Sequence, residues 1–303
     1  MPNYANEADL LSVVGVDRRI YYTGVMGTAG VDVIFDGADT VGGHRSLDLV
    51  YETGQNEGPF WKSQWSDGVG PSETPVGYDD FWYRIALKVP SAFTSIDTPS
   101  YSPSMDGANG GVPSSAAGAL PGNFQRGLVL LVLEPADRLT NVSADRDITL
   151  NLSIKGDGRL YVEGLWYEQP SPPGGPIFQR WIQQDIGAAS ALADDQWHDL
   201  IVRVRRTPGD DTSARITVYV GDVCALGIAA LAEVDVGPHT DLLNMVGRTT
   251  TGPWGFLWVP GYIYPTTTAS NTAPLTAFGP ATISVGRHEM VPHSVNSNPF
   301  GVV

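Results

Sequence analysis

The chain has 303 residues, with 18 Lys and Arg against 33 Asp and Glu, giving a formal charge of −15 at pH 7. That balance excludes a protein that coats nucleic acid, which needs Lys and Arg to displace condensed counterions. The longest wholly apolar stretch, residues 128–133, is far short of the ~20 residues of a membrane-crossing helix, and the one cysteine, Cys224, excludes an internal disulfide or a thiolate metal cage.

Residues 1–30 read as an N-terminal arm, with a short helix expected over 6–14. Gly24, Gly27 and Gly30 lack both the spacing and the following helix of a dinucleotide fingerprint. In 81–89, Phe81, Tyr83, Ile85, Leu87 and Val89 alternate with Trp82, Arg84, Ala86 and Lys88. Successive strand side chains point to opposite sides, so this pattern predicts a strand with one buried and one wet face, ended by Pro90. Residues 94–126 are too rich in Ser, Pro, Gly and Ala for regular structure. Residues 128–133 show no polar alternation, so both faces of that strand must be covered, as for a central strand.

In 147–155 Ile148, Leu150, Leu152 and Ile154 alternate with Asp147, Thr149, Asn151, Ser153 and Lys155, again predicting one buried and one wet face. The run Lys155-Gly156-Asp157-Gly158 supplies the positive φ of a tight turn, so 159–164 returns as the second strand of a hairpin. A loop is expected over 169–176. A second hairpin follows, with Leu200, Val202 and Val204 inward, a turn at 207–211, then Ile216, Val218 and Val220 inward. Residues 225–234 are a weak helical candidate, and 266–280 read as a loop. The strands spread evenly without a fixed repeat, which predicts one all-β domain over 31–290 and a C-terminal tail over 291–303.

Several side chains suit ligand chemistry. Trp61, Trp65, Trp254 and Trp258 lie in Gly/Pro-flanked segments and offer planes on which the C–H faces of sugars stack, and Trp82 and Arg84 stand on the wet face of their strand. These six are the candidate glycan contacts, the alternative being that large aromatics plug sandwich ends and subunit interfaces. His198 shares the face of Leu200 and Val202 and is read as structural. Asp210 and Asp211, with Asp222, cluster oxygens of the kind calcium takes, but the spacing fits no EF-hand loop, and no cofactor or metal is expected. The sequons at Asn141 and Asn151 are read as chance, because nothing after Met1 resembles a signal peptide.

The run Asp195-Gln196-Trp197-His198-Asp199-Leu200-Ile201-Val202-Arg203-Val204, followed by Ile216-Thr217-Val218-Tyr219-Val220-Gly221, resembles a hairpin of concanavalin-like jelly rolls. Laminin-G-like modules and polysaccharide lyases belong to that class. Gly77-Tyr78-Asp79-Asp80-Phe81-Trp82-Tyr83-Arg84 through Pro90 looks like the lyases' aromatic strand, and Gly261-Tyr262-Ile263-Tyr264 and Ile283-Ser284-Val285-Gly286-Arg287 sit where their last strands fall. The resemblance implies a sandwich of two antiparallel sheets with long loops and little helix. For a lyase it implies a site of His44, Arg45, Tyr262 and Tyr264. The strand that should carry Gln and His is Leu128-Val129-Leu130-Leu131-Val132-Leu133, which has neither, and Leu47 stands where the family's Arg-Ser-Glu strand has its acid.

The leading expectation is therefore a non-enzymatic virion component, a bacteriophage head-decoration or tail protein on a jelly-roll platform. Its partners would be copies of itself, neighbouring virion proteins and a cell-surface glycan, with neither nucleic acid nor membrane, and it would be made in the host cytoplasm. The alternatives are a polysaccharide lyase or other depolymerase, and a pure lectin module.

Overall fold

A computed structural model describes residues 12–13, 19–26, 33–41, 44–51, 60–66, 78–95, 110–113, 127–135, 149–168, 178–207, 210–235, 254–259, 262–264 and 281–303. For some, including 19–26, 60–66, 254–259 and 262–264, the backbone alone is described. The strands are β1 (Ser12–Val13), β2 (Arg19–Met26), β3 (Val33–Val41), β4 (His44–Tyr51), β5 (Phe60–Ser66), β6 (Asp80–Lys88), β7 (Gly110–Pro113), β8 (Gly127–Pro135) and β9 (Thr149–Ile154). They continue with β10 (Arg159–Glu168), β11 (Phe178–Ala188), β12 (Trp197–Thr207), β13 (Asp210–Asp222), β14 (Ala230–Asp235), β15 (Trp254–Val259), β16 (Tyr262–Tyr264) and β17 (Ala281–Pro292). Two short 3-10 turns, Ser91–Ser95 and Ala189–Ala191, are the helical content of the described residues. No helix among them is long and apolar enough to cross a membrane.

These strands form two sheets. One runs β14-β13-β12-β6-β17-β4-β3 with β1 beside β17, and the other runs β2-β5-β15-β8-β9-β10-β11-β7 with β16 beside β8. All pairings between these described strands are antiparallel except the two-residue β1–β17 contact. The protein is a two-sheet antiparallel jelly-roll sandwich. Its core takes the inward residues of both sheets, with Phe81, Tyr83, Ile85 and Leu87 of β6 and Leu200, Val202 and Val204 of β12 facing Leu150, Leu152, Ile154, Leu160 and Val162 of the other layer. Residues Leu128 to Leu133 are buried on both faces, as their unbroken apolar run requires.

Four expectations are corrected by the structure. Residues 225–234 form a turn followed by β14 rather than a helix, because Ile216 and Val218 of β13 pair with Val234 and Ala232 and complete a sheet edge. Of the helix expected over 6–14, only 12–13 lie among the described residues, and they are extended. The face of β9 opposite the core is not wet, since Asn151, Ser153 and Lys155 are all buried. Nor is that of β6, where Trp82 and Ala86 are buried. Alternation reports which residues share a face but not what lies over it. Strand β1 pairs with β17 and β2 with β5, and Phe300 and Val302 pack against Trp82, Ile201, Tyr219 and Val291.

Candidate functional site

The hairpin of β9 and β10 is set by its turn. Lys155 N donates to Arg159 O at 3.0 Å and Gly158, at φ +73°, donates to Lys155 O. That closure fixes Leu160 opposite Ile154, Tyr161 opposite Ser153 and Glu163 opposite Asn151. Leu150, Leu152, Ile154, Leu160 and Val162 face the core, so Asn151, Ser153, Lys155, Tyr161 and Glu163 share the outer face of the nine-stranded sheet. The next strand, β11, adds Gln183 opposite Glu163 and Asp185 opposite Tyr161.

Glu163 organises this face. Its Oε2 accepts from Ser153 Oγ at 2.7 Å and Lys155 Nζ at 2.8 Å, and its Oε1 accepts from Gln183 Nε2 at 2.8 Å. Three donors on one carboxylate satisfy a charge that burial would otherwise penalise heavily. Burial pushes the Lys155 amine below its ordinary range, with the Glu163 carboxylate working against the shift. Toward the turn, Tyr161 OH donates to Asp157 Oδ2 at 2.7 Å and Arg159 Nε to Asp185 Oδ2 at 2.9 Å. On the far side of β9 a Cβ at Gly127 would stand 3.3 Å from Lys155 Cδ, so the absent side chain leaves room for the lysine stem.

Register carries these positions across the sheet. One row runs Lys62, Trp258, Val132, Asn151, Glu163, Gln183, and a second runs Tyr262, Val129, Ser153, Tyr161, Asp185. Two residues singled out from sequence, Trp258 and Tyr262, thus stand in the rows that hold the Glu163 cluster. Trp61 is opposite Val259, Trp65 opposite Ile20, Trp254 opposite Pro135 and Tyr264 opposite Gly127, all in the same sheet. The side chains of these six lie outside the described residues.

The remaining candidates are elsewhere. His44 and Arg45 belong to β4 of the eight-stranded sheet, so the lyase set is divided between the two sheets. Arg45 is exposed, and the His44 side chain lies outside the described residues. Trp82 is buried at 2% exposure, and the Phe300 ring lies 4.2 Å from the guanidinium carbon of Arg84. His198 Nε2 meets Asp194 Oδ1 at 2.8 Å, a link from the start of β12 back to the turn that precedes it. Asp210 and Asp222 are the first and last residues of a 13-residue strand, roughly 40 Å apart, so the calcium grouping does not form. Among the described residues no three His, Cys, Asp or Glu side chains converge as a metal site.

Sequence reasoning passed over Lys155, Glu163, Ser153 and Gln183. The signal was present in part: a tight turn at 156–157 fixes the register, and register places a Glu amid an apolar strand opposite the Asn-Ser-Lys edge of its partner.

No family model and no curated protein matches the chain. Among solved structures it is similar to the alginate lyase Aly36B in complex with alginate trisaccharide, at 7% identity over 80% of each chain with a TM-score of 0.40. It is similar to the marine alginate lyase from Aplysia kurodai, at 13% identity over 82% of this chain and 83% of that one with a TM-score of 0.41. It is also similar to SCLam, a non-specific endo-β-1,3(4)-glucanase of family GH16, at 8% identity over 89% of each chain with a TM-score of 0.38.

Proposed function

We propose that the chain is a glycan-handling jelly roll that works at the outer face of its nine-stranded sheet. The observation that carries this reading is the Glu163 cluster, which fixes a polar constellation on three adjacent rigid strands. Lys155, Ser153 and Glu163 are wholly buried and act as its support, while half-buried Gln183 stands at the rim with its carboxamide oriented by Glu163. Adjacent strands lie about 4.8 Å apart, so polar positions recur across the sheet at a spacing of the order of one sugar ring. The same face serves a free glycan binder and a virion subunit alike.

Cleavage of the bound polymer is a second reading, favoured by the position of Tyr262 in the row of Ser153 and Tyr161. A lyase must draw a proton from the carbon beside a carboxylate, and a tyrosine is a suitable base. The test is retention of the protein in gels cast with bacterial and algal polysaccharides, with ultraviolet absorbance of unsaturated products followed alongside. Gln183→Ala and Trp258→Ala are each expected to weaken retention about tenfold, roughly the value of one lost polar or stacking contact. Retention by no polymer, or retention that neither substitution alters, would overturn the binding reading. Absorbance that rises with the wild-type chain and vanishes in Tyr262→Phe would establish cleavage.

A further inference from the structure

The outer face of the eight-stranded sheet is closed by the chain's own C-terminal segment, and the closure leaves polar atoms unmatched. Directly opposed positions there form three rows: Val291, Trp82 and Arg203; Glu289, Arg84, Ile201 and Tyr219; and Ala86, Asp199 and Gly221. Phe300 lies over the middle row, stacked on Arg84, and packs with Val302 against Trp82, Ile201, Tyr219 and Val291. Gly227 N donates to Gly301 O at 2.7 Å and Val303 N to Ile228 O at 3.0 Å, while the Asn298 side chain bonds both the N–H and the carbonyl of Val302. Residues 294–298, which lead into this strap, are exposed.

A phenyl ring has no hydrogen bonds to give. In the row on one side of it, Trp82 Nε1 is buried without a hydrogen-bond partner among the described residues. On the other side Asp199, 1% exposed, uses Oδ2 to accept from Cys224 N at 2.9 Å, while its buried Oδ1 has no such partner. Arg287 Nε is also buried and unmatched, standing 3.7 Å from Glu289 Oε1. Buried polar atoms are nearly always satisfied, so three such atoms around one apolar plug call for an explanation. The charges themselves cancel, with Arg84 and Arg287 set against Asp199 and Glu289.

We propose that this face is a binding site for a short neutral oligosaccharide, and that Phe300 is an internal plug which the sugar displaces. A pyranose has an apolar C–H face to lie against Trp82 and Tyr219, whose ring centroids are 5.9 Å apart, in the place of the phenyl ring. Its hydroxyls both donate and accept, matching the Asp199 acceptor and the Trp82 and Arg287 donors that the plug leaves unmet. Trp82 and the Asp199 row stand four residues apart along β6, about 13 Å, a span that asks for two linked rings rather than one. The net neutrality of the four ionised groups selects an uncharged sugar. The site is on the sheet opposite the Glu163 cluster and stands or falls separately from it.

Calorimetric titration with cellotetraose tests the site, with alginate tetrasaccharide as the charged control. Unlatching the strap removes the cost of opening, so Phe300→Ala should bind cellotetraose about tenfold more tightly than the wild-type chain and show no such gain for alginate. Trp82→Phe or Asp199→Asn in the Phe300→Ala background should cancel the gain. A cooperatively melting Phe300→Ala chain with unchanged affinity overturns the site, as does a gain that survives both second substitutions. Should Phe300→Ala fail to fold, hydrogen exchange on the unaltered chain decides. Saturating cellotetraose must then speed exchange at the Gly227 and Val303 amides that latch the strap, and unchanged rates overturn the site.

Discussion

Lys155 Nζ lies 2.8 Å from Glu163 Oε2, with both side chains wholly withdrawn from solvent. The two reach toward each other above Ser153, whose hydroxyl donates to the same oxygen. Such a pair has surrendered the hydration of both charges, and its attraction and hydrogen bonds offset that cost only while both members are present.

Removing one member should therefore be far worse than removing both. Lys155→Met and Glu163→Gln are each expected to lose about 3–5 kcal/mol of unfolding free energy, and Lys155→Met with Glu163→Leu markedly less than the sum. Urea unfolding at constant m-value measures this, and strictly additive losses would show that the pair is not coupled as its geometry requires.

His288 gives the fold a dependence on acid. Its ring is fully buried, with Nδ1 2.8 Å from Tyr83 OH, and burial lowers its pKa from 6.5 to about 3. Between those values the unfolded chain holds a proton that the folded chain does not. Stability therefore rises with pH across this window and is lost on acidification through it, at a limiting slope of about 1.4 kcal/mol per pH unit. His288→Gln should flatten the slope of unfolding free energy measured between about pH 4 and 6.5. An equal slope in both chains would remove His288 as its source.

The all-β sandwich and both central hairpins were legible because alternation and turn chemistry are local. Residues 149–164 supply every element of their own register. What was not legible is what covers each face. Asn151, Ser153 and Lys155 read as a wet face, as did Trp82 and Arg84, yet the first three are buried and the last two lie under Phe300, more than 200 residues away in sequence. Burial of polar residues at that distance is set by tertiary packing, on which propensity and period are silent. The helix expected at 225–234 failed similarly, since its residues are recruited by the open edge of β13.

Phe300 anchors the strap through apolar packing and its stack on Arg84. Phe300→Ala should cost about 3 kcal/mol, toward the lower end for a buried phenyl because the strap can settle into part of the space. Phe300→Leu keeps the apolar contact and loses chiefly the cation–π term, so about 1 kcal/mol is expected. Thermal and urea unfolding of both variants check the order, and a leucine as damaging as alanine would mean that packing alone is not what the ring supplies.

Gly127 and Gly158 both have positive φ but for different reasons, and alanine at each should separate them. At Gly158, φ +73°, a Cβ would sit 3.3 Å from Thr94 O, a contact that small shifts relieve, so Gly158→Ala should cost about 1 kcal/mol for the left-handed backbone. At Gly127, φ +137°, the Cβ would fall 2.2 Å from Ile154 O, within the β8–β9 pairing that holds Leu128 opposite Ile154. Backbone cannot yield there without moving β9 and, with it, the Lys155 stem that passes the glycine. Gly127→Ala should then lose more than about 2 kcal/mol and disturb the Lys155–Glu163 contact as well. The second effect is measurable by combining Gly127→Ala with Glu163→Gln, where the shared loss should make the double variant less destabilised than the sum of the singles. Additive behaviour would mean that the strand edge absorbs the methyl group without reaching the buried pair.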